Sequence, residues 1–320
     1  VQARWGHLNR TYSLLTRIQA FGLDAHFALE QHVRSGEGLF INFNGTAGVW
    51  KRACIDAAGG WAADTLTEDL DLSYRAQMKG WRFRYLDALE VPAELPVEMQ
   101  GLRQQQFRWT KGAAETGRKL LVPFLRARLP WRVKLQGSLH LLGHAVFPFV
   151  LLAVVLHPLL IHQRVAGRGP GDGYFVLVSI GIVGFAGMVL GHVAAQRHLY
   201  ANWMQRMLLL PVFMAGTTGL AFSNTLAIAQ ALAGRRTPFV RTPKYNTQAG
   251  QPAWWRSQYA DRRLPGAAWG EVFLAAYSWL GLAGIVQAGA WAAVPFQLLF
   301  AIGFSLITFW NVQHRFGHGA

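Results

Sequence analysis

Four long stretches of the sequence contain no Asp, Glu, Lys or Arg, and they limit the possible folds more than any other feature. They are residues 135–163, 173–196, 207–234 and 272–314. A helix crosses a bilayer with roughly 20 apolar residues, so the last stretch is long enough for two crossings. Pro295 is the predicted break between those two helices. The second half of the chain is therefore predicted to be a helical, multi-span membrane region.

The first part of the chain is polar and predicts a separate domain. Residues 1–134 carry 19 Lys and Arg against 13 Asp and Glu, and residues 135–320 carry 12 against 3, so that 6 and 9 add to the net charge of +15. Such positive charge beside apolar helices is typical of loops facing an anionic membrane surface. Nucleic acid is not an expected partner. The one cysteine, Cys54, excludes an internal disulfide and a cysteine-cluster metal site.

Helical and extended patterns alternate through the polar part, which favours an α/β layered domain. Periodicity and turn residues locate the elements. In order, they are an amphipathic helix over 1–32, a buried strand and glycine turn over 38–50, a helix from Thr65 to Gly80, a strand over 81–86 and a helix over 101–121 that ends near Pro123. The basic, aromatic segment 124–134 predicts an interfacial lead-in to the membrane.

Residues 135–196 and 271–313 each predict a transmembrane hairpin, whereas segment 206–234 fits either a further span or an interfacial helix. The loop that follows it, 235–270, holds seven Lys and Arg against one acid. A full crossing would place this basic loop on the side opposite the polar domain, against the positive-inside tendency. We therefore favour the interfacial interpretation, with residues 1–134 and the loop both cytoplasmic.

The stretch Thr65–Asp69 gathers acids and hydroxyls in front of a helical pattern, and two interpretations are open. Thr65 and Glu68 have the spacing of a capping box, and acids in a first turn suit the helix dipole. A carboxylate held at a fixed helix start is also suited to act as a catalytic base.

Three further motifs carry the residue types of a binding site. On a helix, Gln105, Arg108 and Trp109 share one face, which suits a sugar phosphate. The segment 42–48 is a turn that exposes an Asn and backbone amides. The segment 237–246 offers a Thr and a Lys to a phosphate. Each motif alone also fits an ordinary surface helix, turn or solvated loop.

The order of these motifs resembles that of the processive family-2 glycosyltransferases, in particular the cellulose-synthase-like A group of mannan and glucomannan synthases. The segments that carry the resemblance are QARWGHLN, LDAHFALEQ, FNGTAGVWKRACIDAAGGW, TEDLDLSYRAQMKGW, AELP, QQQFRW and FVRTPKYN. The resemblance is to the C-terminal part of such enzymes. It implies an α/β fold in which residues 1–123 form the C-terminal half of a GT-A catalytic domain, followed by an α-helical multi-span membrane region.

The resemblance also implies a role for each matching residue. Thr67, Glu68 and Asp69 match the family's TED motif, whose Asp is the catalytic base. The other matches are Gln105, Arg108 and Trp109 in the QxxRW motif of the acceptor and nucleotide site, Phe43, Asn44, Gly45 and Thr46 in the acceptor-side turn, and Phe239, Thr242 and Lys244 in the gating loop that closes over the donor. Asn44 stands where cellulose synthases have Cys, which makes cellulose a less expected product.

The implied reaction is an inverting transfer of hexose from GDP-mannose or UDP-glucose to a growing β-linked polysaccharide, which the membrane helices help to export. The expected partners are the nucleotide sugar, the polysaccharide and the lipid bilayer; protein partners are open. A divalent metal, Mg²⁺ or Mn²⁺, is expected, with ligands upstream of residue 1, because the sequence opens at Val1 in the middle of a pattern. No residue of this sequence is predicted to be a metal ligand. The expected location is a bacterial inner or plasma membrane, or a Golgi-type membrane.

Two other functions stay open at this point. One is a non-processive membrane glycosyltransferase with a lipid acceptor, of the ceramide-glucosyltransferase kind. The other is a channel or transporter with a regulatory domain, which would need ionisable residues inside its spans. Only histidines occur there, and His140, His144, His157 and His162 are expected to be packed or interfacial rather than metal-binding.

Overall fold

Helices make up most of the chain in the computed structural model, which describes residues 1–247, 254 and 264–316. The strands are β1 (Gln2–His7) and β2 (Tyr85–Ala93). The helices of the polar part are α1 (Leu14–Ala25), α2 (His32–Gly36), α3 (Arg52–Ala57), α4 (Glu68–Met78), α5 (Met99–Arg126) and α6 (Trp131–Leu141), with a π-helical turn (His26–Gln31) between α1 and α2. Those of the apolar part are α7 (Val146–Val165), α8 (Asp172–Ser179), α9 (Gly181–Leu199), α10 (Trp203–Arg206), α11 (Leu210–Gly219), α12 (Ala221–Leu232), α13 (Ala267–Gln287) and α14 (Val294–Phe316).

The two strands form a small parallel sheet, and the first strand lies where a helix was predicted. β1 runs beside β2, with Gln2 opposite Tyr85. The predicted helix over residues 1–32 is wrong at its beginning, because pairing with β2 makes this part extended. α1 begins only after Ser13, whose side chain caps the helix. The second predicted strand, 81–86, overlaps β2 only at its end.

The segment 38–50 forms no regular strand in the described structure, contrary to the prediction. Its backbone groups bond to side chains of α4 instead. Ile41 donates its N–H to Gln77 Oε1 at 3.1 Å and accepts from Gln77 Nε2 at 2.7 Å, and Phe43 donates to Ser73 Oγ at 2.9 Å. Since buried backbone groups need partners, these side chains replace a neighbouring strand.

α4 begins at Glu68, but the predicted capping box is wrong. The N-cap is Thr67, and its side chain makes no capping hydrogen bond. The hydroxyl of Thr65 is buried without a partner in the described part of the chain. Gly80 follows the helix with a φ of +88°, the left-handed conformation that commonly ends a helix.

α5 continues through Pro123 to Arg126, past its predicted end. A proline in the last turn costs only one hydrogen bond. Phe124, which follows Pro123, is fully buried, with its ring centroid 5.4 Å from that of Phe40 and 5.5 Å from that of Tyr74. This aromatic cluster holds α5 against α4.

Four helical stretches are long and apolar enough to cross a membrane, in agreement with the four predicted crossings. They are Gly143–Val165, Asp172–Leu199, Ala267–Gln287 and Trp291–Phe316. The break between the last two lies at Gly289, whose φ is +67°, and not at Pro295. Pro295 is in the first turn of α14, where a missing N–H breaks no helical hydrogen bond.

A bent pair of helices occupies the segment that was open between a span and an interfacial helix. Trp203–Gly219 and Ala221–Leu232 meet at 44° and together would count as a fifth crossing. Length and composition do not separate the two interpretations, so the interfacial assignment of 206–234 stays a prediction. The predicted loop 235–270 includes residues 248–253 and 255–263, which lie outside the described residues.

Candidate active site

The start of α4 packs closely against the middle of α5, and this close approach is possible because Gly112 has no side chain. A Cβ added at Gly112 would lie 2.5 Å from Thr67 Cγ2 and 2.7 Å from Thr67 N. Thr116, one turn further along α5, has its Oγ1 3.2 Å from Thr67 Oγ1, and Glu115 accepts the N–H of Leu66 at 2.9 Å. The TED motif therefore packs directly against α5, the helix that also carries the QxxRW motif.

The turn Phe43–Thr46 lies against the carboxylate of Asp69. Ser73 accepts the N–H of Phe43 at 2.9 Å and donates its hydroxyl to the carbonyl of Asp69 at 2.6 Å. A Cβ on Gly45 would lie 3.3 Å from Asp69 Oδ2, and Gly45 has a φ of +75°. Glycine thus allows the backbone to approach the carboxylate in a conformation that other residues rarely adopt.

Gln2 and His26 hold the same turn from another side, and neither was predicted from the sequence. Gln2 is fully buried; its Oε1 accepts the N–H of Asn44 at 3.0 Å, and its Nε2 donates to the carbonyl of Thr46 at 3.1 Å. His26 has Nε2 3.3 Å from Asn44 Oδ1 and Nδ1 3.0 Å from Glu30 Oε2. The available signal was their position in QARWGHLN and LDAHFALEQ, two of the segments that carry the family resemblance.

The carboxyl of Asp69 has a raised pKa. Burial raises its pKa to about 6, and the negative charge of Glu68 adds to the rise. The N–H of Leu70, 2.8 Å from Oδ1, and the positive charge of Arg108 act in the opposite direction. Burial lowers the pKa of Arg108, and its attraction to Asp69 and Glu68 partly offsets that effect. A carboxylate with a pKa near 6 is ionised at neutral pH and binds a proton more strongly than an ordinary one.

Arg108 lies under the predicted gating loop. Its Cζ is 4.6 Å from the ring centroid of Phe239, a cation–π contact. Lys244 is near enough for the two positive charges to repel each other, and its Nζ donates to the carbonyl of Glu94. Thr242 is buried, and its hydroxyl has no partner within the described ranges. The described part of this loop therefore places an aromatic ring and a cation next to Arg108.

Gln105 and Trp109 line a cavity of about 240 Å³ that reaches toward the apolar helices. Other lining residues come from α1, α11, α12 and α14, among them Thr217 and Asn224. Asn224 is fully buried, and neither its Oδ1 nor its Nδ2 has a partner among the described residues. A buried amide without a partner is costly unless a ligand hydroxyl or water bonds to it. The residues of the QxxRW motif therefore lie at two places. Arg108 lies near Asp69, whereas the amide of Gln105 and the indole of Trp109 line the cavity.

No metal site is found where the structure describes the chain: no three His, Cys, Asp or Glu side chains there are placed to hold an ion. The described residues therefore do not fit the divalent metal that the resemblance implies. Three of the histidines near the first hairpin bond to separate partners. The pairs are His140 Nδ1 with Tyr74 Oη at 2.8 Å, His144 Nδ1 with Thr110 Oγ1 at 3.0 Å, and His157 Nδ1 with Gln297 Oε1 at 2.8 Å.

Comparison with known proteins supports the family resemblance that the motifs indicate. Residues 2–307 match the sequence model of glycosyl transferase family group 2. The chain is 48% identical over 126 residues to glucomannan 4-beta-mannosyltransferase 2 of Arabidopsis thaliana, which is 39% of this chain and 24% of that protein. It is 40% identical over 157 residues to glucomannan 4-beta-mannosyltransferase 1 of Oryza sativa subsp. japonica, 49% of this chain and 29% of that protein. The matched part is about a quarter of the length of these relatives. The resemblance drawn from the motifs is confirmed, and the chain belongs to glycosyl transferase family group 2.

Proposed function

We propose that this protein transfers hexose from a nucleotide sugar to a growing β-linked polysaccharide, with inversion at the anomeric carbon. The observation that carries the proposal is the Asp69 carboxylate, whose pKa is raised to about 6 and which lies between the Gly45 turn and Arg108. Relatives named as glucomannan 4-beta-mannosyltransferases favour GDP-mannose as the donor, with UDP-glucose as the second candidate. In this proposal residues 1–123 are the C-terminal half of a GT-A domain.

Asp69 is the proposed catalytic base. An acceptor hydroxyl is a poor nucleophile, so its proton must leave as the new bond to the anomeric carbon forms. Asp69 would take that proton while the bond between the sugar and the diphosphate breaks on the opposite face. Glu68 would keep the pKa of Asp69 high, and Thr67 would fix the start of the helix against Gly112.

The cations near Arg108 are the proposed site of the leaving diphosphate. A guanidinium can bind phosphate oxygens in a bidentate manner, and positive charge stabilises the negative charge that develops on them. Lys244 would add a second cation, with Phe239 and Thr242 closing over the donor from the gating loop. The contact between Arg108 and Phe239 supports this arrangement.

The cavity beside Trp109 is the proposed site of the acceptor sugars and the start of the export path. An indole stacks on the apolar face of a pyranose. Gln105 and Asn224 line the cavity and offer amide groups to sugar hydroxyls. Because α14 lines the cavity together with α11 and α12, a polymer that grows there would pass along a proposed membrane helix.

The proposed topology places residues 1–134 and 235–270 on the cytoplasmic side of a plasma, bacterial inner or Golgi-type membrane. Four apolar helices support a membrane location. The basic residues of both segments suit the cytoplasmic side.

The test uses the full-length natural protein in inverted membrane vesicles with labelled GDP-mannose or UDP-glucose. We expect label in a polymer that mannanase, or mannanase and glucanase together, degrades. Label that stays in organic-soluble lipid would instead indicate a lipid acceptor, and no transfer from either donor would refute the proposal. Asp69→Asn should abolish transfer, whereas the matched variant Asp56→Asn should not, because Asp56 is 66% exposed on α3.

A further inference from the structure

α6 carries an apolar face that the rest of the described chain leaves uncovered. Trp131 is 72% exposed, Leu135 53% and Leu139 65%, and Leu142, which directly follows the helix, is 46% exposed. At 3.6 residues per turn, the three helical positions fall within about 80° around the helix axis. With Leu142 they form one row, named the α6 stripe. Apolar side chains gathered in this way on a surface indicate an interaction site.

The opposite face of α6 packs against the polar part of the chain. Leu141 is buried, and Gly137 lies so close to α5 that a Cβ there would clash with the ring of Phe124. Tyr74, on the helix that also carries Asp69, has its Oη 2.8 Å from His140 Nδ1. Because α4 and α5 hold α6 from this side, the α6 stripe faces away from the polar part.

Positive charges flank the α6 stripe. Arg132 and Lys134 lie on its two sides around the helix axis, and Arg128 is exposed just before the helix. No Asp or Glu occurs between residues 116 and 171. Glu37 approaches from another part of the chain, with its Oε2 3.3 Å from Arg132 Nη2, and both side chains of this pair are exposed. The surroundings of the stripe therefore suit an anionic partner.

The α6 stripe also lies beside a candidate membrane span. α6 ends at Leu141, and one of the four helical stretches that could cross a membrane begins at Gly143. When that stretch crosses the bilayer, a helix joined so closely to it lies next to the lipid headgroups, the level at which Trp is enriched. This position favours a lipid surface over a soluble partner.

We infer that the α6 stripe binds the headgroup region of a bilayer that contains anionic lipids, with Arg128, Arg132 and Lys134 contacting the headgroups. Apolar side chains with basic flanks are the composition of helices that lie in this region. A second copy of the chain fits less well, because a two-fold contact between two such faces would bring like charges together. The inference extends the interfacial segment predicted over residues 124–134 to α6, and it does not depend on the proposed reaction.

The first test measures the depth of α6 in liposomes of equal parts phosphatidylcholine and phosphatidylglycerol that hold the full-length natural protein. A spin label is placed on a cysteine introduced at Leu139, in a Cys54→Ala background that removes the one cysteine of this sequence. We expect this label to collide more with oxygen, which is concentrated in the bilayer, than with a water-soluble nickel complex. A label at Leu89, which is 53% exposed on β2, is the control and should meet mainly the nickel complex.

The second test varies the charge. Each cation near an anionic surface strengthens binding about fivefold, so the triple variant Arg128→Gln/Arg132→Gln/Lys134→Gln should lower the oxygen-to-nickel collision ratio at Leu139 at least about threefold. Liposomes of phosphatidylcholine alone should lower it similarly for the unsubstituted protein. Arg52→Gln, which removes the charge of a side chain that is 94% exposed on α3, is the control and should change nothing. Unchanged elution in detergent on size-exclusion chromatography checks that the variants are folded.

The outcomes decide the inference without any sugar transfer. A Leu139 label that meets the nickel complex as freely as the Leu89 label would overturn it. A Leu139 label that meets neither reagent and lies close to a second label in double electron–electron resonance would indicate a second copy of the chain, and would also overturn it. A label that stays in the bilayer whatever the lipid charge and the three substitutions would refute the role of anionic lipid.

Discussion

Replacing Asp69 with Asn should abolish transfer and, at the same time, make the protein more stable. The substitution keeps the size and shape of the side chain and removes its ability to ionise. As the proposed base, Asp69 contributes about 10²- to 10⁴-fold to the rate, which is the usual range for a general base. The gain in stability has a separate origin, the unfavourable charge that the fold holds at this position.

The size of that gain follows from the pKa of Asp69. The fold raises it from 3.8 to about 6, and one pKa unit corresponds to about 1.4 kcal/mol. Ionised Asp69 therefore destabilises the fold by about 3 kcal/mol at most, and by about 1–3 kcal/mol allowing for its partial exposure to solvent. Since the folded-state pKa is the higher one, this group favours folding below pH 4 and loses that contribution as the pH rises through about 6.

Thermal unfolding of the detergent-solubilised full-length protein, followed by tryptophan fluorescence at one scan rate, measures the difference. We expect Asp69→Asn to unfold a few degrees above the wild type at pH 7.5 and together with it at pH 4, because only the wild type ionises between them. Two results would refute the reasoning: an Asn variant that unfolds below the wild type at pH 7.5, or one that retains polymer synthesis within about tenfold.

Three further predictions concern the surroundings of the same site. The rate of transfer should fall as the pH falls through about 6, where Asp69 takes up its proton, and Glu68→Gln should move this limb of a pH–rate profile to lower pH because Glu68 raises the pKa of Asp69. Gly45→Ala should reduce transfer at least about tenfold, since a φ of +75° costs Ala about 1–2 kcal/mol and its Cβ would lie 3.3 Å from the carboxylate of Asp69. The vesicle assay measures this, with Gly36→Ala as the control because a Cβ there meets nothing within 4 Å. Asn224→Leu should raise thermal stability, because an unpartnered buried amide costs about 1–3 kcal/mol, yet shorten the products seen by size-exclusion chromatography; products of unchanged length would remove Asn224 from the acceptor path.

The positions of the membrane helices could be predicted from the sequence because the bilayer sets a strict length. A charge-free stretch either reaches about 20 residues or does not, and no distant partner alters that count. The break at Gly289 was not predicted, because a proline such as Pro295 is the stronger sequence signal for the end of a helix. A proline in the first turn is nevertheless compatible with the helix that follows. The chain turns between the two helices with a positive φ, a conformation that Gly289 can adopt.

The polar part was harder to predict because its local patterns are decided by distant contacts. Residues near Gln2 have a helical pattern but pair with β2, more than 80 positions away. Thr65 has the spacing of a capping residue, but close packing against Gly112 makes Thr67 the N-cap. The motif residues were identified by their order along the chain, whereas the buried partners of α5 have no local signal at all.

The short part of α5 from Arg103 to Lys111 joins the proposed chemistry to the membrane region. At 1.5 Å per residue this part is about 12 Å long and behaves as one rigid piece. Over that length it contacts α13 and α14 through Arg103, the cavity through Trp109, Phe239 of the predicted gating loop through Arg108 and α12 through Lys111. Asp69 is fixed to the same helix because Gly112, the next residue, packs against Thr67. The proposed base, the proposed cation for the leaving group and the cavity that reaches the apolar helices therefore all lie against the same part of α5.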